Sequence, residues 1–230
     1  MTSHVVCLYE LSGYAAAPWA EAGYQVYCYD LDCPQEHREG NVTYMPWDAR
    51  DEVQNAAIIA RHQGHTAIVL AFPPCTDLAV SGAAHFGNKR QADPKFQVKA
   101  MQFVYTARDI AEALDAPYAI ENPVSVISSR WRKPDYKFHP YEYGGYLTAK
   151  EAEHPKYPDY INPMDAYPKL TCYWTGGGFI MPPKKPVSVP HGYSKQHRKL
   201  GGKSKKTKLI RSLSPRGIAR AIFEANRSRS

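Results

Sequence analysis

Short β-branched runs alternate with helical patterns over the first 125 residues, and this alternation leaves few architectures open. Val5–Leu11 (VVCLYEL) stops at Ser12-Gly13 and reads as a buried strand. Ala15 to Ala22 can form a helix, which Gly23 ends. Tyr24–Asp32 reads as a second strand closing in acids, and Asn41–Asp48 as a shorter third. Glu52–His62 has a helical pattern. Thr66–Phe72 (TAIVLAF) is the clearest strand, terminated by Pro73-Pro74. Lys95–Leu114 keeps a helical period through Phe96, Met101, Val104, Ile110 and Leu114, and a fifth strand follows at about Tyr118–Ile120. Strands and helices in alternation with short connections predict an α/β fold, a parallel sheet with helices on both faces.

After residue 130 the texture changes. Residues 130–190 are rich in Tyr, Pro and Gly, with one strand in KLTCYWTGGGFIMPP. Residues 195–212 are Lys/Gly/Ser-rich and predict a mobile basic loop. A last helix is expected from Ser214, with Pro215 at its first position. The organisation predicted is a core over 1–129, a nucleic-acid-binding region over 130–212, and a C-terminal helix over 213–230 that packs back on the core. Charge follows the same division. Residues 1–129 hold 8 Lys+Arg against 15 Asp+Glu, and residues 130–230 hold 21 against 7, within a total of +7. An acidic front and a basic back point to a catalytic half joined to a polyanion-binding half.

Hydrophobic residues are 43% and charged residues 22% of the chain, and no run approaches the roughly 20 apolar residues of a membrane span. MTSHVVCLYE has no basic segment before a long apolar run, so no signal peptide is expected. Five cysteines without a CxxC pair argue against a disulfide framework or a four-cysteine zinc site. No metal is expected, and a reducing cytoplasm fits best.

Ligands of an open parallel sheet bind beyond the carboxyl ends of its strands. Every predicted strand end carries a small, acidic or nucleophilic residue: Ser12-Gly13, Asp30 and Asp32, Trp47-Asp48, Pro73-Pro74-Cys75-Thr76, and Glu121-Asn122-Pro123. The first three suit a nucleoside. Gly13 permits a tight turn, an acid after the second strand suits ribose hydroxyls, Asp48 suits an exocyclic amine, and Trp47 could cover a base. Singly, each also reads as a turn glycine, a solvated acid or a core indole. The last two ends suit covalent catalysis. Two prolines fix the backbone before Cys75, and Glu121 leaves a short buried strand beside it.

Phe72-Pro73-Pro74-Cys75 followed by Glu121-Asn122-Pro123, behind a Ser12-Gly13 turn and strand-end acids, resembles the DNA cytosine-5 methyltransferases. LGGKSKKTKLIRSLSPRGIARAIFEANR is similar to the short, phage-type members. The resemblance implies a class I, Rossmann-like S-adenosylmethionine-dependent methyltransferase fold. It also implies S-adenosylmethionine as cofactor, DNA as partner, and a cytoplasmic location (the host's, if phage-encoded). Cys75 would attack C6 of cytosine and Glu121 would act on N3. Ser12, Gly13, Asp30, Trp47, Asp48 and Pro73 would hold the cofactor. The chain departs from the family pattern in three places. Ala15 stands for the second turn glycine, ENP for ENV, and YPKLTCYW for a Q-x-R-x-R strand, which leaves Lys169 and Thr171 to steady the base. With no separate recognition domain, DNA contacts are expected from Arg130, Arg132, Lys203, Lys205, Lys206, Lys208 and Arg211. Trp131, Tyr141 and Tyr143 are expected to offer stacking faces. The alternatives are C5 modification of a free nucleotide, transfer of a different group, or a silent DNA-binding homologue.

Overall fold

The computed structural model describes residues 3–192, 194–201 and 204–227. The chain forms two compact units. One comprises the residues up to Lys137 with Thr171–Phe179, and the other Phe138–Leu170 with Ile180–Arg227.

The first unit runs β1 (His4–Leu8), α1 (Ala17–Glu21), β2 (Gln25–Asp30), β3 (His37–Glu39), β4 (Val42–Pro46), α2 (Glu52–His62) and β5 (Thr66–Ala71). It continues through α3 (Phe86–Ala92), α4 (Phe96–Ala113), β6 (Tyr118–Pro123), α5 (Ile127–Arg130), β7 (Tyr136–Phe138) and β8 (Thr171–Gly176). The sheet order is β3-β4-β2-β1-β5-β6-β8-β7. β4, β2, β1, β5 and β6 are mutually parallel, whereas β8 runs antiparallel to β6 and β3 antiparallel to β4. The strand order reverses between β1 and β5, which places a ligand crevice at their carboxyl ends. This is the Rossmann-like α/β fold expected from the alternation.

Burial explains the strands. Val5, Val6, Cys7 and Leu8 of β1 are all buried, as a strand covered on both faces requires. α4 turns Ala100, Met101, Val104, Ala107, Ile110 and Ala111 to the core. The Asp51 side chain caps α2 by accepting from Val53 N and Gln54 N. β8 can lie against β6 only because its turn has no side chains. A Cβ on Gly177, at φ +59°, would stand 2.0 Å from the Ala116 carbonyl.

In the second unit the residues expected to be a loop are helical: α6 (Lys195–Lys199) and α7 (Lys205–Ser212). Ser194 caps the first through His197 N, and Ser204 the second through Thr207 N. Those two caps, and the burial of Gln196, Thr207 and Ile210, overcome a composition that suggested mobility. α8 (Arg216–Asn226) starts one residue later than expected, with Pro215 at the N-cap rather than at the first helical position. Its cap comes from a distant residue. The buried Asp165 carboxylate accepts from Arg216 N at 2.6 Å and Gly217 N at 3.2 Å, and pairs with the Arg216 guanidinium at 3.3 Å. Within this unit α8 packs chiefly on the turn Pro140–Tyr146. A Cβ on Gly217 would meet the Tyr143 carbonyl there at 2.5 Å.

Candidate active site

The nucleophile candidate sits on a clamped turn. β5 ends at Ala71, paired with Ile120 of β6, so the chain past Ala71 runs alongside Glu121 and Asn122. The Asn122 side chain is fully buried, and its Nδ2 donates to the Pro73 carbonyl at 3.0 Å. The Cys75 carbonyl accepts from Leu78 N (3.0 Å) and Ala79 N (2.8 Å), which closes a helical turn. Beyond it, Val80 N donates to Val124 O and Val126 N to Leu78 O, both at 3.0 Å. Lys89 of α3 adds a brace, with its Nζ 2.5 Å from Asp77 Oδ1 and 3.1 Å from the Thr76 carbonyl. Cys75 itself is exposed, while Cys7, Cys28, Cys33 and Cys172 are buried. A rigid turn that presents one accessible thiol is what a covalent catalyst needs.

Glu121 is half-buried on β6, opposite Tyr173 of β8. Its charge adds to burial in raising the neighbouring Cys172 thiol, which Lys137 counteracts. Thr171 opens β8 opposite Pro123, so it stands on the strand beside Glu121, and it is buried. Lys169 belongs to the second unit, where its Nζ donates to the Arg211 carbonyl at 3.0 Å. Its ammonium is therefore engaged in that unit's own structure. His85 is exposed at the end of the 3-10 turn Val80–His85.

The other strand ends form a second cluster. Tyr9, at φ +61°, closes β1 and donates its hydroxyl to the Phe103 carbonyl at 2.9 Å. Burial, then the charges of Asp30 and Asp48, raise its phenol. Ser12 and Gly13 form the expected turn, but its centre is a residue the sequence did not single out. Glu10 is 5% exposed. Its Oε1 accepts from Ser12 N and Ser12 Oγ, both at 2.5 Å, and from Gly13 N at 2.9 Å. Burial raises the Glu10 carboxyl, these hydrogen bonds oppose the rise, and the Asp30 charge adds to it. The only signal was an acid immediately after an apolar strand, and it was read as the strand's end. Gly13 has φ +73°, and a Cβ there would lie 2.6 Å from the Tyr44 hydroxyl.

Asp30 ends β2, with its carboxyl raised by burial and lowered by the Asp32 N–H it accepts at 2.8 Å. Asp48 is engaged by Arg50 in a two-pronged ion pair of 2.8 and 2.7 Å, which lowers its carboxyl to about 2. Trp47 is 2% exposed, its ring lies 4.8 Å from that of Tyr9, and its Nε1 donates to Asn55 Oδ1 at 2.9 Å. The buried indole forms part of the wall of the groove at this edge. Leu31, which follows the β2 acid, is an exposed apolar side chain at this edge, 61% exposed. A groove of about 390 Å³ opens there, lined among others by Leu31, Met45, Trp47, Asp48, Ile58 and Arg61. That is within the size range of small-molecule sites.

Several side chains expected on DNA have partners inside the protein. Arg130 donates to Gln97 Oε1 at 2.7 Å. Arg132 pairs with Asp135 at 2.6 Å, donates to the Thr175 carbonyl at 2.8 Å, and lies over the Trp131 ring. Arg211 donates to the Leu200 carbonyl at 2.7 Å, and Lys206 to the Tyr160 hydroxyl at 2.8 Å. Tyr143 is buried, its hydroxyl donating to the Pro182 carbonyl, and offers no stacking face. Tyr141 stacks on His139, with ring centroids 5.5 Å apart. Lys205 and Lys208 are exposed. Lys203 lies outside the described residues. Among the described residues no cluster could hold a metal ion, and no helix is long and apolar enough to cross a membrane.

No family model matches the chain, and no curated protein matches it. Among solved structures it is similar to the MycE methyltransferase from the mycinamycin biosynthetic pathway, determined in complex with Mg and SAH. Identity is 13% and the TM-score 0.34, over 93% of this chain and 49% of that one. The chain thus spans about half the length of that structure, and no activity follows from a likeness at this level.

Proposed function

We propose that the chain is an S-adenosylmethionine-dependent methyltransferase acting on C5 of cytosine in DNA. The observation that carries this reading is the Asn122–Pro73 hydrogen bond. It ties the residue after Glu121 to the residue two before Cys75, so nucleophile and acid share one rigid edge. The cofactor assignment is supported by Trp47 and Asp48, which line the groove with Leu31, while Asp30 and the Ser12-Gly13 turn stand at the neighbouring strand ends.

The chemistry assigns Cys75 the first step. Its sulfur bonds to C6 and breaks the 5,6 double bond. Glu121 hydrogen-bonds or protonates N3, where the displaced electron pair builds charge, and C5 becomes nucleophilic. The cofactor, when bound, supplies the methyl group that C5 takes. A base then removes the C5 proton, the double bond re-forms, and Cys75 leaves as it arrived. C6 is out of reach in a stacked duplex, so the cytosine is flipped out or single-stranded.

Free deoxycytidine monophosphate is the second reading. The internal partners of Arg130, Arg132, Lys206 and Arg211 favour it, because they reduce the cations open to a DNA backbone. Protein with tritiated cofactor and either DNA or the nucleotide, beside a Cys75→Ser control, separates the two. Transfer to DNA that needs Cys75 supports the proposal. Transfer to the nucleotide alone replaces it. No transfer to either, with cofactor demonstrably bound, ends both.

A further inference from the structure

The second unit commits its most discriminating polar side chains to its own structure. Arginine, asparagine and glutamine make two-pronged contacts to base edges, whereas lysine is a compact point charge suited to phosphate. The carboxamides of this unit, Asn162, Gln196 and Asn226, are all buried. Asn162 Nδ2 donates to the Ala166 carbonyl at 2.8 Å, and its Oδ1 accepts from Lys195 N at 3.3 Å. Asn226 accepts from Ile180 N at 3.0 Å and donates to the Ile180 and Ile222 carbonyls, each at 2.9 Å. The arginines follow the same pattern. Arg216 and Arg220 pair with Asp165 and Glu151 at 3.3 and 2.6 Å, Arg211 donates to the Leu200 carbonyl at 2.7 Å, and Arg227 lies over the Phe223 ring. Among the described residues of this unit, Arg198 is the one arginine that is exposed with no partner for its guanidinium.

Lysines remain outside. Lys199 at the end of α6, and Lys205 and Lys208 of α7, are exposed, and none has a partner among the described residues. No acid stands in the sequence between Asp165 and Glu224. The helices that carry these lysines are held in place. The Arg211 guanidinium and the Thr207 hydroxyl bond the Leu200 and Gly201 carbonyls of the α6–α7 connection, at 2.7 and 3.2 Å, and Ile210 is buried beneath α7. A fixed surface of one sign, built from point charges, attracts a polyanion and carries no code for its bases.

We propose that the second unit holds DNA by its phosphates and reads no base, so that it adds affinity to the substrate complex without adding sequence preference. The proposal rests on the DNA reading above. Each lysine that neutralises a phosphate strengthens binding to every sequence equally and makes it more sensitive to salt. Arg198 is the internal control. Arg198→Lys keeps the charge and removes the fork that a guanine edge requires.

Two measurements on the full chain test it. Fluorescence anisotropy gives the affinity of duplexes of unrelated sequence for wild type and for the triple variant Lys199→Gln, Lys205→Gln, Lys208→Gln, at about 50 and 200 mM salt. A random-sequence DNA pool is then methylated at low salt by wild type, the triple variant and Arg198→Lys, and bisulfite sequencing locates the modified cytosines. Between the two salt concentrations wild type should lose about fortyfold more affinity than the triple variant on every duplex, the effect of three phosphate contacts at a slope of about 0.9 each. The sequence context of the modified cytosines should be the same for all three proteins. An unchanged salt dependence, a loss confined to some duplexes, or a context that shifts in the triple variant or in Arg198→Lys overturns the proposal while the DNA reading stands. Wild type that binds the cofactor and no DNA overturns the DNA reading and the proposal together.

Discussion

At the scale of single residues, the positions of two were legible in the sequence and the surroundings of two were not. Cys75 and Glu121 could be read because prolines and a short apolar strand mark their positions regardless of tertiary detail. Glu10 was not, because an acid two residues past a strand is ordinary until three donors are seen to converge on it. The burial of Trp47 was not legible either, because sequence does not reveal that Asn55, eight positions on, satisfies its indole. Two predictions belong here. Asn122→Ala deletes a fully buried donor and leaves the Pro73 carbonyl unpaired. It should cost about 1–3 kcal/mol in urea unfolding and lower the rate of covalent trapping on 5-fluorocytosine DNA more than it weakens DNA binding. Gly13→Ala meets both a positive φ and the Tyr44 hydroxyl. Calorimetry should show cofactor binding lost, and adding Tyr44→Phe should restore only part of it, since the backbone strain persists.

At the scale of elements, periodicity served where a helix has an apolar face and its own cap. Glu52–His62 runs between the bounds the sequence implies. It failed where support is remote. The start of α8 is fixed by Asp165, fifty-one positions before Arg216 in the chain, and no local pattern encodes that. α6 and α7 were hidden by lysines, although Ser194 and Ser204 are ordinary caps in retrospect. Asp165→Ala should destabilise the second unit by about 3–5 kcal/mol, because it strands a mostly buried Arg216 and uncaps α8 together. Urea unfolding followed by far-ultraviolet circular dichroism, beside tryptophan fluorescence, which reports only the first unit, measures it.

At the scale of the whole molecule, the charge division bears on the proposed DNA partner only through the cations that stay exposed. Lys205 and Lys208 are exposed, so replacing both with Gln should flatten the salt dependence of DNA binding by about two phosphate contacts. Cofactor affinity should not change. Acid stability is set elsewhere. His62, held between His4 and Tyr29, is lowered to about 3, and His154 to about 4, both chiefly by burial. Their folded values lie below the unfolded value of about 6.5, so the unfolded chain binds more protons in between. Stability is therefore full above that value and falls as the pH drops towards 4, each group adding up to about 1.4 kcal/mol per pH unit. Unfolding free energies at pH 7.5 and 5.5 should differ accordingly, and less so in His62→Gln. The distribution of sulfur has a practical consequence as well. With four thiols sealed in the interior and Cys75 alone at the surface, the folded protein should consume one equivalent of Ellman's reagent and the denatured protein five. A fluorophore or spin label would then report from the turn after β5 without any cysteine having to be engineered away.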